Sequence, residues 1–319
     1  MQSKQQLEAE VMRDYKNLQE LLSAVKDEKI AREHMEYMRW SGEPFCPHCG
    51  STKPYKLKDG KSYRCKDKTC RKDFTVTVKT VFENSKIPLS KWMAAIYIIT
   101  AHKKGISSCQ LARDIGVTQK TAWFMNHRIR VLMSEPVKDQ LTDFVEIDET
   151  YVGGKFANMN RGRRKKFQEL GIDNKVAVMG LLERDGKARL TVIGESTFKD
   201  VVRQHVDPGS VVITDTHLSY QGLSYEYAGH FTVNHSEMEF KKGMAWTNGV
   251  EGFFSQLKRS IYGIYHSVSP KHLERYCVET SYRYNYRKLK DVNRFKLTLQ
   301  NVEGRLKYHE LIQKEKNGK

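Results

Sequence analysis

The sequence lacks any apolar segment long enough to cross a membrane. Its longest apolar run extends from Trp92 to Ala101 (WMAAIYIITA), whereas a helix needs about 20 residues to span a bilayer. The N-terminal stretch MQSKQQLEAEVMRDYK also lacks the apolar core of a secretory signal. We therefore expect a cytoplasmic protein without a membrane partner, in a compartment that keeps thiols reduced.

Acidic residues are outnumbered: the 319 residues include 38 Asp and Glu against 55 Lys and Arg, a net charge of +17. The contents of hydrophobic residues (39%) and charged residues (29%) are ordinary for a globular protein. A positive field of this size attracts a polyanion, and nucleic acid is the first candidate. An anionic membrane surface is the other, and the short apolar runs argue against it.

Repeats and low-complexity tracts are also absent, and changes in composition divide the chain into segments. The fold class predicted is α/β and multidomain. Within the C-terminal part we expect three strands, a helix, a strand, an irregular stretch, a strand and then helices, with a hairpin at Asp185-Gly186. The predicted segments are an N-terminal helical segment (1–40), a cysteine-containing β segment (41–84), a helical domain (85–135), a mixed α/β domain (142–290) and a charged tail (291–319).

Four of the six cysteines form two close pairs, C-x2-C at Cys46 and Cys49 and C-x4-C at Cys65 and Cys70. Two such pairs separated by the length of a hairpin can place four thiolates tetrahedrally around a structural Zn²⁺. The metal would supply folding energy that a segment of about 40 residues lacks. Buried free thiols or redox cysteines are the alternative. The isolated Cys109 and Cys277 are expected to be small core residues.

The stretch ISSCQLARDIGVTQKTAWFMNHRIRVLM predicts two short helices joined by a turn at Gly116. Ser107 or Ser108 can cap the first helix and Thr118 the second. This is the helix-turn-helix shape, whose second helix enters the DNA major groove. An ordinary helical hairpin with a solvated basic face is the alternative. The polar residues of the second helix are Gln119, Lys120, Asn126, His127, Arg128 and Arg130, of which Lys120 and Arg128 are our candidates for DNA contact.

Acidic residues end two predicted strands, Asp148 in FVEIDET and Asp215 in SVVITDT. The ends of adjacent parallel strands are where open α/β sheets bind ligands. Two Asp residues there, completed by a third carboxylate, could hold two divalent cations that act on a phosphodiester. Either Asp alone could simply mark the end of a strand. Glu146 is expected on the strand surface, and Glu149 at most supports the site.

Glu251 heads the basic helix TNGVEGFFSQLKRSIYGIYH and allows two compatible interpretations. With Asn248 as N-cap, Glu251 has the spacing of a capping box. Alternatively, it is the third metal ligand, with Lys258 two turns away on the same face to hold the phosphate backbone. An apolar stripe on the neighbouring face would pack on a core; it consists of Val250, Phe253, Phe254, Leu257 and Ile261.

From about Phe45 to Arg287 the chain resembles the ISXO-type transposases of bacterial insertion sequences, the prokaryotic relatives of Merlin elements. The resemblance rests on CPHCG, FTVTVKTVFENSKIPLSKWMAAIY, VEIDETYVGGK, VVITDTHLSY, TNGVEGFFSQLKRSIYGIYHSVSPKHLERY and YRYNYR, in this order. It implies a zinc ribbon at 41–84 and an RNase-H-like DDE domain with a mixed sheet and flanking helices at 142–290.

The resemblance implies that Asp148, Asp215 and Glu251 are the catalytic acids and bind two Mg²⁺ (or Mn²⁺) ions. Lys258 matches the basic residue near the cut DNA end. Relatives with Asn as third ligand leave Asn248 as the alternative to Glu251. His235 and His266 match recurring positions near the site without an assigned role. The x4 spacing of the second cysteine pair, and Phe254 where relatives have Trp, depart from the family pattern.

In a DNA-processing enzyme several basic residues become candidates for phosphate contact. The run RGRRKK (161–166) is expected to be a basic loop with Arg163 and Arg164 on DNA; a solvated loop is the alternative. Arg259 is expected to contact DNA together with Lys258. In ERYCVETSYRYNYR the tyrosines are expected to pack, leaving Arg283 and Arg287 for DNA.

The expected function is therefore transposition. The protein would bind double-stranded DNA at terminal inverted repeats, cut the ends and join the 3′-hydroxyl to target DNA. Joining two ends implies a homodimer or larger assembly, and the family implies a prokaryotic, nucleoid-associated location. The alternatives are an RNase-H-like nuclease without strand transfer and a DNA-binding regulator with a decayed catalytic domain.

Overall fold

The structure, a computed structural model, describes residues 15–134, 139–154, 159–169, 175–194, 196–233 and 246–313. The chain forms two compact units, one from the residues up to Met133 together with those from Lys288 onwards, the other from Ser134–Arg287. No helix within the described ranges has both the length and the apolar character to cross a membrane.

The described helices and strands follow one another in the order helices, short strands, helices, a mixed segment and helices again. The helices are α1 (Leu18–Ala24), α2 (Glu28–Trp40), α3 (Leu89–Ala101), α4 (Ser108–Ile115), α5 (Gln119–Leu132), α6 (Arg161–Glu169), α7 (Phe198–His205), α8 (Asn248–Ser260, continued by a π-helical turn, Ile261–Tyr265), α9 (Pro270–Asn285), α10 (Asp291–Gln300) and α11 (Tyr308–Ile312). The strands are β1 (Pro54–Lys56), β2 (Tyr63–Cys65), β3 (Asp73–Phe74), β4 (Phe144–Val152), β5 (Val176–Glu183), β6 (Ala188–Val192), β7 (Val211–Asp215) and β8 (Gly229–Val233).

In the first unit, helix α2 packs on the small antiparallel sheet β1-β2-β3 through one aromatic side chain. The Trp40 ring meets the rings of Tyr63 and Phe74 edge-on, at centroid distances of 5.1 and 6.2 Å. The Tyr63 hydroxyl also donates to Glu36 of α2 at 2.9 Å. The cysteine-bearing segment is therefore built on the helix that precedes it, and its core begins before residue 41.

The segment from Asp291 to Ile312, where a charged tail was expected, is folded into the first unit. Its backbone pairs with residues that follow the small sheet, Thr80 with Glu303 and Val81 N–H with Val302 O at 3.2 Å. Phe295 on α10 is fully buried and meets the ring of Tyr97 on α3 at 5.8 Å. The C-terminal segment thus completes the core of the N-terminal unit.

The second unit is a five-stranded mixed sheet in the order β6-β5-β4-β7-β8, flanked by helices, which confirms the predicted α/β class. Strands β4, β5 and β6 are antiparallel, whereas β7 and β8 run parallel to β4. The hairpin between β5 and β6 turns at Asp185, whose φ is +59°, as predicted. Helix α7 packs on one face of the sheet and helices α8 and α9 on the other.

Close packing of α8 on the sheet depends on Gly180 in the middle of β5. A Cβ atom at Gly180 would lie 2.6 Å from Phe254 Cε1 and 2.8 Å from Val250 Cγ2. Both side chains belong to the apolar stripe predicted for this helix, and both are buried. Glycine at this position therefore brings the start of α8 against the centre of the sheet.

Two local predictions were wrong. The run RGRRKK is not a loop but the start of helix α6 (Arg161–Glu169). Cys109 is exposed rather than buried, because it lies on the outer face of the short helix α4, whose inner face buries Leu111, Ala112 and Ile115. Cys277 is buried in the core between α8, α9 and the sheet, as expected.

Candidate active site and zinc centre

Parallel pairing of β4 with β7 brings the first two predicted acids together. Glu146 lies opposite Ile213 in the ladder. Two residues further along each strand, the same register places Asp148 opposite Asp215. Asp215 is the last residue of β7, as predicted. Asp148 is half-buried in the middle of β4, contrary to the prediction, because this strand continues past the acid to Val152.

Glu251 is one of three carboxylates whose charge acts on Asp148. The pKa of Asp148 is raised to about 7, chiefly by burial and in addition by the negative charges of Glu149, Asp215 and Glu251. The backbone N–H of Glu149, which donates to Asp148 Oδ1 at 2.8 Å, acts in the opposite direction. Several carboxylates thus converge on one partly buried position, where like charges disfavour ionisation unless a cation is bound.

Glu251 does not form the capping box that the sequence suggested. The N-cap of α8 is Thr247 rather than Asn248, so Glu251 is the fourth helical residue, one position too late. Its side chain is exposed, and its Oε1 accepts a hydrogen bond of 3.5 Å from Thr247 Oγ1. Asn248, the alternative third ligand, is also exposed, in the first turn of the same helix.

The predicted stripe beyond Glu251 is present on the surface of α8. Ser255, Lys258 and Tyr262 are exposed, and so is Arg259 beside them. The stripe ends in the π-helical turn, and π-helical turns within α-helices are frequent at functional sites. His266 follows this turn, exposed and with a φ of +59°. His235 lies outside the described residues.

Glu146 is not on the strand surface, contrary to the prediction, but is 1% exposed. It shares a face of β4 with Asp148, and that face is covered by the start of α8. Its carboxylate accepts hydrogen bonds from Arg184 Nε at 3.0 Å and from the backbone N–H of Val250 at 3.1 Å. The sequence contained no signal for Arg184, because this contact joins residues far apart in the chain.

Glu149 and Asp215 are each held by a neighbour. The buried Tyr220 hydroxyl donates to Glu149 Oε2 at 2.7 Å. Burial, together with the charge of Glu149 and this hydrogen bond, raises the pKa of Tyr220 far above its ordinary value, so the hydroxyl stays protonated. The backbone N–H of His217 donates to Asp215 Oδ1 at 3.0 Å. Tyr220 was absent from the predicted site.

Oxygen donors of this kind suit Mg²⁺ or Mn²⁺. Among the described residues, only the four paired cysteines gather three or more ligand atoms within 4.8 Å of one another. The three acids are therefore spread more widely than the ligands of a single ion. A spread-out set of carboxylates is compatible with two ions about 4 Å apart.

The four paired cysteines form a compact metal site. Cys46 Sγ lies 3.8 Å from Cys70 Sγ, and Cys49 Sγ lies 3.6 Å from Cys65 Sγ. With a Zn–S bond of about 2.3 Å, sulfurs at the corners of a tetrahedron are about 3.8 Å apart. The longer C-x4-C loop is closed by a turn in which Cys70 N–H donates to Asp67 O at 3.1 Å. The extra residues therefore leave the ligand geometry intact.

The structure separates the predicted DNA-contacting residues into exposed and buried ones. Lys120 is exposed at the start of α5, with its Nζ 5.1 Å from the centre of the Tyr308 ring. Arg128 is 6% exposed, and its guanidinium donates to Leu306 O at 3.1 Å and Glu83 O at 3.3 Å. The prediction for Arg128 was wrong, because its side chain is used inside the first unit. Asn126, His127 and Arg130 are buried as well.

The other basic candidates also differ in exposure. Arg164 is partly buried, and its Nη2 donates to Met159 O at 3.4 Å; the side chain of Arg163 lies outside the described residues. Arg283 forms a buried ion pair with Glu279 and is not available to DNA, contrary to the prediction. Arg287 is exposed, with its guanidinium 3.9 Å from the centre of the Tyr284 ring.

Comparison with known proteins assigns both units. Residues 140–285 match the ISXO2-like transposase domain and residues 26–73 the transposase zinc-ribbon domain. An uncharacterized transposase-like protein of Haemophilus influenzae is 31% identical over 98 residues, which are 31% of this chain and 78% of that protein. The chain belongs to the ISXO2-like transposase family.

A second relative supports the assignment over a longer stretch. An uncharacterized protein in transposable element ISH50 of Halobacterium salinarum is 26% identical over 249 residues, 73% of this chain and 82% of that protein. The predicted resemblance to insertion-sequence transposases is thereby confirmed, as is the zinc ribbon. The match to the ribbon domain begins at residue 26, in agreement with the packing of α2 on the ribbon strands. The matched transposase domain includes Asp148, Asp215 and Glu251.

Proposed function

We propose that this ISXO2-like transposase cuts DNA at the terminal inverted repeats of its element and joins the released 3′-hydroxyl to target DNA. One observation supports the proposal: the parallel register of β4 and β7, extended by two residues, pairs Asp148 with Asp215, and the charge of Glu251 also acts on Asp148. The three carboxylates come from separate parts of the sequence and lie within the domain that matches a transposase family.

The three carboxylates would supply oxygen ligands for two Mg²⁺ or Mn²⁺ ions. Such ions, when bound, stabilise the attacking and leaving oxygens of a phosphodiester during in-line displacement. Lys258, exposed two turns beyond Glu251 on the same helix, would hold the phosphate next to the bond that is cut. Arg259 would contact the neighbouring backbone.

Two displacements at the same site would complete the reaction. In the first, water attacks the phosphorus at the element end, the P–O3′ bond breaks and a 3′-hydroxyl is released. In the second, this hydroxyl attacks a target phosphodiester, forming a new P–O3′ bond and releasing the target's own 3′-oxygen. Because each displacement exchanges one oxygen for another at phosphorus, no covalent protein–DNA intermediate is needed.

Recognition of the element ends would belong to the first unit. The zinc ribbon and the helix-turn-helix, α4 and α5 with Gly116 between them, offer exposed basic residues, including Lys120. The net charge of +17 adds a sequence-independent attraction to phosphate. Because two element ends must be joined, the active assembly would be a homodimer or larger on DNA.

The decisive experiment compares wild type with Glu251→Gln in Mg²⁺-dependent cleavage of a terminal-repeat duplex. Gln keeps the size of the side chain and can still accept a hydrogen bond from the Thr247 hydroxyl, but it is a poor Mg²⁺ ligand. We expect the variant to fold and bind DNA but not to cut. Glu226→Gln, which removes a carboxylate paired with Arg203 in the same unit, should cut normally.

Other outcomes distinguish the alternatives. Normal cutting by Glu251→Gln would exclude Glu251 as the third acid and direct the search to Asn248. Cleavage by wild type without joining to target DNA would favour the RNase-H-like nuclease. Binding without any cleavage by wild type would favour the DNA-binding regulator.

A further inference from the structure

The helix that carries Glu251 is attached to the sheet by a buried carboxylate from another element. Glu146 on β4 accepts the backbone N–H of Val250 at 3.1 Å. Val250 is in the first turn of α8, where backbone N–H groups have no acceptor within the helix. Thr247, the N-cap residue, makes no side-chain capping bond. The role of a capping side chain is therefore taken by a residue of the sheet.

The same carboxylate is neutralised by Arg184, which also holds the residue before the helix. Arg184 Nε donates to Glu146 Oε1 at 3.0 Å, and Arg184 Nη2 donates to Trp246 O at 3.2 Å. The guanidinium carbon lies 3.4 Å from the centre of the Trp246 ring. The pair thus fixes both the approach to the helix and its first turn.

Gly249 shows how closely the helix approaches this carboxylate. A Cβ atom at Gly249 would lie 2.6 Å from Glu146 Oε2 and 2.6 Å from Leu182 Cδ2. Any other residue would force either the carboxylate or the helix start to move. The contact between β4 and α8 therefore depends on three residues: Glu146, Arg184 and Gly249.

We propose that Glu146 and Arg184 are positioning residues that set Glu251 beside Asp148. Glu146 lies two residues before Asp148 on the same strand, so one strand carries the first acid and also determines where the third is placed. By accepting the N–H of Val250, Glu146 does what an N-cap side chain does in other helices, and it fixes the helical turn that leads into Glu251. The inference rests on the proposed function, since it takes Glu251 as a metal ligand.

Glu146 itself is not a candidate ligand. It is buried, one oxygen is used by Arg184 and the other by Val250 N–H. Its effect on metal binding would be indirect, and loss of such supporting contacts typically weakens metal affinity about 10- to 100-fold. That size of effect can be measured without relying on catalysis.

The test measures Mn²⁺ binding to the full-length, zinc-loaded protein from the electron paramagnetic resonance signal of free Mn²⁺. Glu146→Gln and Gly249→Ala should each raise the dissociation constant about 10-fold. In a protein that already carries Glu251→Gln, adding Glu146→Gln should not raise the dissociation constant of Mn²⁺ any further. Glu279→Gln is the matched control: Glu279 is also buried, pairs with Arg283 and accepts the Tyr265 hydroxyl at 2.8 Å, and its loss should leave Mn²⁺ affinity unchanged.

Each other result overturns a specific part of the argument. If Glu251→Gln weakens Mn²⁺ binding and Glu146→Gln does not, the positioning role is wrong and the proposed active site stands. If Glu251→Gln itself has no effect, the proposed active site is wrong. Equal losses in Glu146→Gln and Glu279→Gln, or a loss that persists in the Glu251→Gln background, would show that Glu146 does not act through Glu251. If Glu146→Gln does not fold, the same comparison of Mn²⁺ affinities is made with Gly249→Ala.

Discussion

At the scale of single residues, the surroundings of Asp148 disfavour the charged form of its side chain. Its pKa of about 7 lies above the ordinary value of 3.8, chiefly because it is buried. The folded protein therefore keeps the proton up to about pH 7, whereas the unfolded chain loses it near pH 4. The contribution of the Asp148 carboxyl to the free energy of unfolding is therefore largest below about pH 4, and it is lost as the pH rises from about 4 to about 7.

We predict that Asp148→Asn stabilises the protein at pH 8 and has little effect near pH 4. A difference of about 3 pKa units corresponds to at most about 4 kcal/mol in the free energy of unfolding, and we expect about 2–4 kcal/mol. Urea unfolding without added divalent cation measures it. Asp200, whose pKa is lowered by its hydrogen bonds to Thr197, provides a control of opposite sign, since Asp200→Asn should destabilise at pH 8. If both variants changed the free energy of unfolding at pH 8 in the same direction and by the same amount, burial would not be the reason for the raised pKa of Asp148.

The sequence predicted residues whose role shows in the neighbouring residues of the chain, and it failed for residues whose position depends on contacts with distant parts of the chain. Asp148 and Asp215 could be chosen because each follows a run of alternating apolar residues, although only Asp215 ends its strand. Glu146 and Arg128 could not be placed, since a buried charged side chain looks like an exposed one in the sequence. Only the structure shows their partners, which are Arg184 for Glu146 and the carbonyl groups of Leu306 and Glu83 for Arg128.

At the scale of elements, the zinc ribbon depends on its metal. Its three strands contain only three, three and two residues, too few to form a stable core without a cross-link. We predict that Cys46→Ser lowers the zinc content from one ion per chain towards zero and exposes Trp40 to water, because Trp40 packs on the ribbon. Metal analysis and tryptophan fluorescence measure the two effects. Cys109→Ser, outside the cluster, should keep full zinc content; loss there would contradict the assignment of the ligands.

The helix-turn-helix offers a pair of basic residues with opposite expected effects. Lys120→Ala should weaken binding to terminal-repeat DNA without changing the melting temperature. The logarithm of the binding constant, plotted against the logarithm of the salt concentration, should have a slope smaller by about one. Arg128→Ala should lower the free energy of unfolding by about 2–4 kcal/mol, because it leaves two buried carbonyl groups without their donor. Binding isotherms at several salt concentrations and thermal melting separate the two. A stable Arg128→Ala protein with weakened DNA binding would contradict the structural role given to this residue.

At the scale of the whole molecule, the chain returns to its first unit after completing the second. Leu299 on α10 is fully buried there, whereas Leu289, two residues before α10, is 38% exposed. We predict that Leu299→Ala lowers the free energy of unfolding by about 2–5 kcal/mol and Leu289→Ala by much less. Denaturant unfolding followed by tryptophan fluorescence tests this. Equal, small effects would show that the C-terminal segment is dispensable for the fold.

The sequence by itself predicted the family, the cysteine ligands of the zinc ribbon and the strands that carry Asp148 and Asp215. These features depend on residues close together in the chain, through hydrophobic periodicity, turn residues and cysteine spacing. The tertiary structure decided what depends on distant contacts: the C-terminal segment joins the first unit, and Glu146 accepts the N–H of Val250, the contact expected from Asn248 as N-cap. A carboxylate has the same local sequence signature whether it lies buried against a helix or exposed at a metal site. Only packing shows that Glu146 is buried against α8 and that Glu251 is exposed on this helix.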